Sequence, residues 1–149
     1  MAAYACEFNR TASATASVGS IVADSTRPRR GKVFDLVIGS EATPADNAFK
    51  WLVQRITAEG TNTDVVPKPV DPADAATEAD AGENHTVEPT YTAAEVMLSI
   101  ALNQRASFRW VAVPGRELVY PATAANGFGL QTPTASAVAV TATLHFDEQ

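Results

Sequence analysis

Short runs of alternating apolar and polar residues dominate the last third of the chain. The segment Asn103–Glu148 consists of such runs, separated by Pro, Gly and Asn positions, with no stretch at helical spacing. Alternation at period two is typical of strands with one buried face. The closing run, Ser136–Phe146, puts these residues on one face: Val138, Val140, Ala142, Leu144 and Phe146. This pattern predicts an all-β fold, an antiparallel β-sandwich assembled from hairpins.

Further strands are predicted along the rest of the chain. Two patterns fit Phe49–Thr57, because its apolar residues suit a helix while the alternation from Trp51 to Thr57 suits a strand. We favour the strand, since the surrounding sequence is β in character. The other predicted strands are Tyr4–Asn9, Lys32–Gly39, Val96–Leu102, Ala106–Val113 and Glu117–Tyr120.

Two regions are interpreted as an arm or a loop, apart from the possible first strand Tyr4–Asn9. Residues 1–30 are interpreted as an N-terminal arm and a basic loop, since Ala12–Val22 is rich in Ser, Thr and Ala and suits an arm or an edge strand. Residues 67–90 form a long irregular acidic Pro/Ala-rich loop, either mobile or ordered against a neighbour, with a short helix at Pro72–Ala79 as an alternative. Strands fill residues 31–66 and 91–149 of a single domain, 1–149.

Size and charge exclude several classes of protein. A chain of 149 residues is expected to form one domain. The formal net charge of −6 argues against a dominant role on nucleic acid or anionic membranes, which need clustered Lys and Arg. Cys6 is the single cysteine, so no intrachain disulfide can form. The start of the chain does not resemble a signal peptide, and no apolar stretch reaches the about 18 residues of a membrane span.

No motif indicates catalysis or a cofactor. The two histidines, His85 and His145, lack the surrounding residues of a metal site or a catalytic triad, and we expect both to be solvated. The acidic loop could offer oxygen ligands to calcium, but it lacks the ligand spacing of an EF-hand loop, so a solvated loop is favoured. Its carboxylates are Asp71, Asp74, Glu78, Asp80 and Glu83. The sequence therefore predicts no enzyme, no metal and no cofactor.

The remaining candidates each have a functional and a structural interpretation. The basic cluster could contact nucleic acid, but without interleaved aromatics we favour docking on an acidic protein surface, or on this protein's own acidic loop in an oligomer. The cluster comprises Arg27, Arg29, Arg30 and Lys32. Trp51 and Trp110 are interpreted as core residues rather than sugar platforms. Gly127 and Gly129 are interpreted as turn glycines, in a loop Pro121–Gly129 whose Asn-Gly pair suits positive φ.

Several segments resemble a group of small virion structural proteins of tailed bacteriophages. They are WLVQRITAEGT (51–61), DPADAA (71–76), NQRASFRWVAVPGRELVYPATAANGFGL (103–130) and TATLHFDE (141–148). The order and spacing of the third segment are the most specific feature. The resemblance covers about the last hundred residues and omits the first forty. It implies a jelly-roll-like β-sandwich subunit and no catalytic residues.

The function expected from this resemblance is that of a capsid decoration or cement protein. Its partner would be the major capsid protein, and it would self-associate, in trimers, on the capsid surface of a virion assembled in the host cytoplasm. The interface candidates are the N-terminal arm, Asn103–Val113 and Pro121–Gly129. One alternative is a carbohydrate-binding or fibre-associated module with Trp51, Tyr120 or Phe128 as its platform. A cupin-like enzyme is a weaker alternative, since it needs clustered histidines.

Overall fold

The computed structural model describes all residues, 1–149, and contains twelve strands and no helix. The first six strands are β1 Ala2–Thr11, β2 Gly19–Val22, β3 Gly31–Ser40, β4 Ala48–Ala58, β5 Thr61–Val65 and β6 Lys68–Pro69. The last six are β7 Asp80–Val87, β8 Thr90–Asn103, β9 Phe108–Val111, β10 Leu118–Tyr120, β11 Gly127–Gln131 and β12 Ala139–Glu148. The all-β prediction is confirmed, and so is the strand preferred at Phe49–Thr57.

The strands form two antiparallel sheets of six strands each. The first sheet has the order β10-β3-β12-β1-β6, with β9 also paired to β3 beside β10. The second sheet has the order β5-β7-β2-β11-β4-β8. Strands close in sequence often lie in different sheets, so the chain crosses repeatedly from one sheet to the other. The result is a β-sandwich.

The core lies between the sheets and is built from the alternating faces of their strands. The five residues predicted to share a face of the closing strand are all buried: Val138 just before β12, and Val140, Ala142, Leu144 and Phe146 within it. Phe8 of the first sheet lies over Gly19 of the second, and the rings of Tyr120 and Phe128 meet edge to face across the sandwich at 6.2 Å. Each such large side chain, fully withdrawn from water, contributes about 1.5–3 kcal/mol. A single apolar cluster therefore joins both sheets.

The prediction of an N-terminal arm is wrong. β1 lies inside the first sheet between β12 and β6, and β2 lies inside the second sheet between β7 and β11. All four residues of β2 are buried. Its small side chains are needed because both of its faces are closely covered, by Phe8 on the inner side and by polar side chains on the outer side. The Ser, Thr and Ala content that suggested an exposed arm is instead explained by the burial of β2 on both of its faces.

The prediction of an irregular segment at residues 67–90 is wrong in its second half. β7 pairs with β5 on one side and β2 on the other, and no helix forms at Pro72–Ala79. The sequence of β7, DAGENHTV, looks like a loop because its interior again requires small residues. A Cβ on Gly82 would lie 2.2 Å from the Asn62 side chain.

Gly127 and Gly129 are strand residues, not turn glycines. Both lie in the buried strand β11, and the positive φ of this loop falls on Ala125 instead. They are glycines because neighbouring atoms approach too closely for a side chain. A Cβ on Gly127 would lie 1.9 Å from the backbone oxygen of Ile21, and one on Gly129 would lie 2.4 Å from the Tyr91 hydroxyl.

We therefore predict that Gly127→Ala lowers the free energy of unfolding by about 3 kcal/mol, because the added methyl group meets backbone that cannot turn aside. Gly39→Ala is the matched control, since its Cβ would lie 3.7 Å from the Ser107 Cβ, an ordinary contact. Urea unfolding of both variants measures the difference. Equal stability of the two would contradict the packing described for β11.

Candidate functional site

Three exposed apolar side chains lie in and directly after β9, at one edge of the first sheet. Phe108, Val111 and Val113, here called the apolar corner, are 41%, 54% and 69% exposed. They lie within the predicted interface segment Asn103–Val113. Exposed apolar residues on one short edge segment make this edge a candidate for a surface that another molecule covers. The other interface candidates differ, since the N-terminal arm is not an arm and only the tip of Pro121–Gly129 is exposed.

The inner side of β9 fixes the apolar corner to the sandwich. Trp110 lies opposite Leu36 of β3 and packs, half-buried, against the core. The core prediction for Trp110 is thus confirmed only in part, whereas Trp51 is fully buried. Phe108 lies opposite Ile38, on the same side of β9 as Trp110, but β9 is an edge strand and the ring is 41% exposed.

A charged cluster on the outer face holds β9 in place. The Arg109 Nε lies 3.0 and 3.1 Å from the two oxygens of Asp35, and Nη2 lies 2.7 Å from Oδ2. Asp35 is buried although it carries a charge, and these hydrogen bonds from Arg109 hold the pKa of its carboxyl below the usual range. His145 completes the cluster, with Nδ1 at 3.4 Å from Asp35 Oδ2 but without hydrogen-bond geometry.

His85 belongs to a second polar cluster, on the outer face of the second sheet. Its Nε2 lies 3.0 Å from the Ser20 hydroxyl, which donates to Glu59 at 3.0 Å. Because the hydroxyl proton is used on Glu59, the imidazole proton must lie on Nε2, and Nδ1 is left as an acceptor without a partner. Burial lowers the pKa of His85, which favours the neutral ring. The prediction of a solvated His85 is wrong.

This cluster has the residue types of a hydrolase but not the arrangement. The serine sits between the histidine and the carboxylate, and Ser20 is completely buried, so no substrate can reach its oxygen. The neighbouring Ser17 is also buried and gives its backbone N–H and its hydroxyl to Glu88, beside Tyr91. The Ser20–His85–Glu59 group and the Ser17–Glu88–Tyr91 group cover the small residues of β2 and β11. Together they form an outer polar layer on the second sheet. His85 and His145 do not converge, because they lie in different sheets.

The acidic loop folds back on this chain. Glu78 pairs with Arg27 of the basic cluster at 2.9 Å, within one chain rather than between subunits. Asp71 accepts from the Ala73 N–H in a turn, and Asp80 lies in β7. Asp80 and Glu78 line a depression of about 470 Å³ with other acidic residues. No group of three His, Cys, Asp or Glu side chains is arranged to hold a metal ion.

Glu148 anchors this loop from the end of β12. Its buried carboxylate accepts from the Thr77 hydroxyl at 2.9 Å and from the Glu78 N–H at 3.1 and 3.2 Å. Arg29 lies 4.0 Å away. No role for Glu148 was predicted from the sequence. Its only distinguishing feature there is its position at the end of an apolar strand.

The aromatic side chains proposed as a sugar platform are inaccessible. Trp51, Tyr120 and Phe128 are all buried, so the sugar platform proposed for the alternative function does not exist. Tyr120 ends in a hydroxyl with no hydrogen-bond partner, directed at Gly31. Burial also raises the pKa of the Cys6 thiol to about 12, so this cysteine is not a nucleophile.

Comparisons with protein-family models, with curated proteins and with solved structures found no match to this chain. The structure contains no helix that is long and apolar enough to cross a membrane.

We predict that Arg109→Gln lowers the free energy of unfolding at neutral pH, because Asp35 keeps its buried charge and loses its main donor. Since the folded pKa of Asp35 is depressed, its contribution is present above the unfolded pKa of about 3.9 and is lost as the pH falls through the folded pKa. The variant should therefore lose less stability than the wild type across this acid window, measured by urea unfolding along a pH series.

Arg105→Gln is the control for this experiment, because Arg105 and Asp46 are both exposed and lie 3.8 Å apart. Exposed pairs contribute little to stability. Identical acid profiles for Arg109→Gln and Arg105→Gln would show that the Asp35 pair has no such role.

We predict that Glu148→Ala releases the acidic loop while the sheets stay folded. Amide exchange at Glu78 should become about 10-fold faster or more, because the N–H loses a charged acceptor. Hydrogen exchange resolved by residue measures this, with Glu41→Ala on the exposed surface as the control. Unchanged exchange at Glu78 would contradict the anchoring role.

Proposed function

We propose that this chain is a structural protein of a bacteriophage virion, a decoration or cement protein that binds the lattice of the major capsid protein and stabilises the head. The observation that carries the proposal is the apolar corner. It lies within the segment 103–130, in which the resemblance to virion structural proteins of tailed bacteriophages is most specific. The surface that a partner would cover and the resembling sequence therefore coincide.

The strand order supports a jelly-roll topology. The pairs β1–β12, β2–β11, β3–β10 and β4–β8 are nested, as if one long hairpin were wrapped across two sheets. A long hairpin wrapped in this way, with two Greek keys, is how a jelly roll is built, and jelly rolls recur in viral capsid domains. The strands β5–β7 form an insertion at the tip of the hairpin and extend both sheets on the side away from β8.

The role would be mechanical rather than catalytic. Docking of the apolar corner on the capsid would remove Phe108, Val111 and Val113 from water, and the pair of Arg109 with Asp35 would keep β9 rigid while it docks. Pre-organisation of this kind reduces the entropy that binding costs. Many copies on one lattice would then offset the internal pressure of packed DNA. The trimeric state remains a prediction.

We predict that the double variant Val111→Lys, Val113→Lys binds at least about ten-fold more weakly to purified capsids that lack this protein, because two ammonium groups would be buried at the contact. Co-sedimentation with capsids measures binding, and the temperature of head disruption measures stabilisation.

Val87→Lys is the matched control, since Val87 is 57% exposed but lies in β7, in the other sheet. It should bind as the wild type does. If the wild-type protein does not bind the capsids, the proposed function is wrong. If the double variant binds as well as Val87→Lys does, the apolar corner is not the contact.

A further inference from the structure

The second half of β8 presents an unprotected strand edge. β8 ends the second sheet, is 14 residues long and pairs only with β4. Its second half, Val96–Asn103, reads VMLSIALN and contains no charged residue, no proline and no glycine. Such an edge pairs readily with another strand, and proteins usually protect it with a charge, a proline, a bulge or short length.

The other edge strands all have one of these protections. β5 has five residues and contains Asp64, and β6 consists of Lys68 and Pro69. β9 has four residues and contains Arg109, and β10 has only three residues. The first half of β8 also has such protections, since it contains Glu95 and its pairing with β4 is interrupted by bulges. The exception is the segment Leu98–Asn103, and an unprotected edge there indicates that it is covered when the protein functions.

The backbone groups that face outward from β8 follow from its register. Gln104 donates its N–H to the Asn47 backbone oxygen, so these two residues form a hydrogen-bonded pair. Counting back along β8 from Gln104, non-hydrogen-bonded and hydrogen-bonded pairs alternate. Ala101 is opposite Lys50 and Ser99 is opposite Leu52, and both are non-bonded pairs. The Lys50 N–H indeed points away from β8, to the Thr134 hydroxyl. The free groups of Ser99 and Ala101 therefore point outward.

The side chains around these groups repeat symmetrically about Ile100. Leu98 and Leu102 flank it at equal distance on the core side, and Ser99 and Ala101 flank it on the exposed side. Two identical antiparallel strands centred on Ile100 would place Ser99 opposite Ala101 and Leu98 opposite Leu102. Small residues would meet small residues, and apolar residues would meet apolar residues.

We propose that β8 pairs with β8 of a second copy of this chain, antiparallel and centred on Ile100. Each Ser99–Ala101 pair would exchange two N–H···O bonds, and the second sheets of the two copies would become continuous. The side-chain pattern favours this occupant, since the segment Val96–Asn103 matches itself in this register and contains no charge, so it brings no like charges together although each chain has a net charge of −6.

This contact has two-fold symmetry and closes with two copies. It makes the dimer, not the trimer expected from the resemblance, the unit in solution. It uses the second sheet and leaves the apolar corner on the first sheet for a different partner. The inference does not depend on capsid binding.

Charge variants at the two exposed positions test both the contact and its register. Ser99→Glu with Ala101→Glu, and Ser99→Lys with Ala101→Lys, place like charges opposite each other twice in the dimer. Ser99→Lys with Ala101→Glu places opposite charges there. Both Ala101→Glu variants have the same neighbour, Lys50, so within the chain they differ only at residue 99. Analytical ultracentrifugation over a concentration series measures the dimer dissociation constant, and thermal unfolding checks that each variant is folded.

We expect a wild-type dimer, a dimer of the mixed-charge variant, and dissociation constants about 10-fold or more weaker for both like-charge variants. If only one of the two like-charge variants dimerises more weakly than the wild type, the effect comes from the net charge of the chain, and the proposed register is overturned. A wild-type monomer at all concentrations, a trimer, or equal dissociation constants for the mixed-charge and like-charge variants would overturn the proposal itself.

Discussion

A layer of large side chains between the two sheets determines where every strand can lie. Phe8, Tyr120, Phe128 and Phe146 are all completely buried, and they come from both sheets. Because these rings fill the space between the sheets, the inner strands must bring their backbones close to neighbouring atoms. Gly19 lies under Phe8 and Gly31 lies at the tip of Tyr120 for this reason. The glycines at these two positions, Gly19 of β2 and Gly31 of β3, are thus a consequence of the large side chains.

On the outer side of the second sheet, polar side chains rather than large apolar rings lie close to the backbone. The inner strands of this sheet are covered by Ser20, His85, Glu59, Ser17 and Tyr91, which bond to one another rather than to solvent. Hydrogen bonds offset the cost of burying these polar groups. A strand covered on both faces, as β2 is, cannot show simple alternation. β7 combines small buried residues with exposed polar ones, so neither strand has a clear pattern in the sequence.

This explains which parts of the fold could be predicted from the sequence. β3, β4 and β12 have one buried and one open face. Alternation predicted β3 and β12 correctly, and β4 was predicted correctly only with the help of the β character of the surrounding sequence. β2 and β7 were interpreted as an arm and a loop, since small and polar residues look alike whether they are exposed or tightly covered. Of the candidate site, the segment Asn103–Val113 was predicted as an interface and contains the apolar corner. The burial of His85 depends on Ser20 and Glu59, which are distant in sequence, so no local signal could predict it.

The pairing of β1 with β12 has a consequence for how the molecule bears force. Ala2 lies opposite Glu148, and the ladder runs from there to Thr11 and Ala139. Tension applied between the two chain ends would open this ladder one bond at a time, like a zipper, which is the weakest way to load a sheet. Tension applied along β8 or β9 would load many bonds at once in shear. The molecule therefore resists tension along its edge strands better than tension between its chain ends.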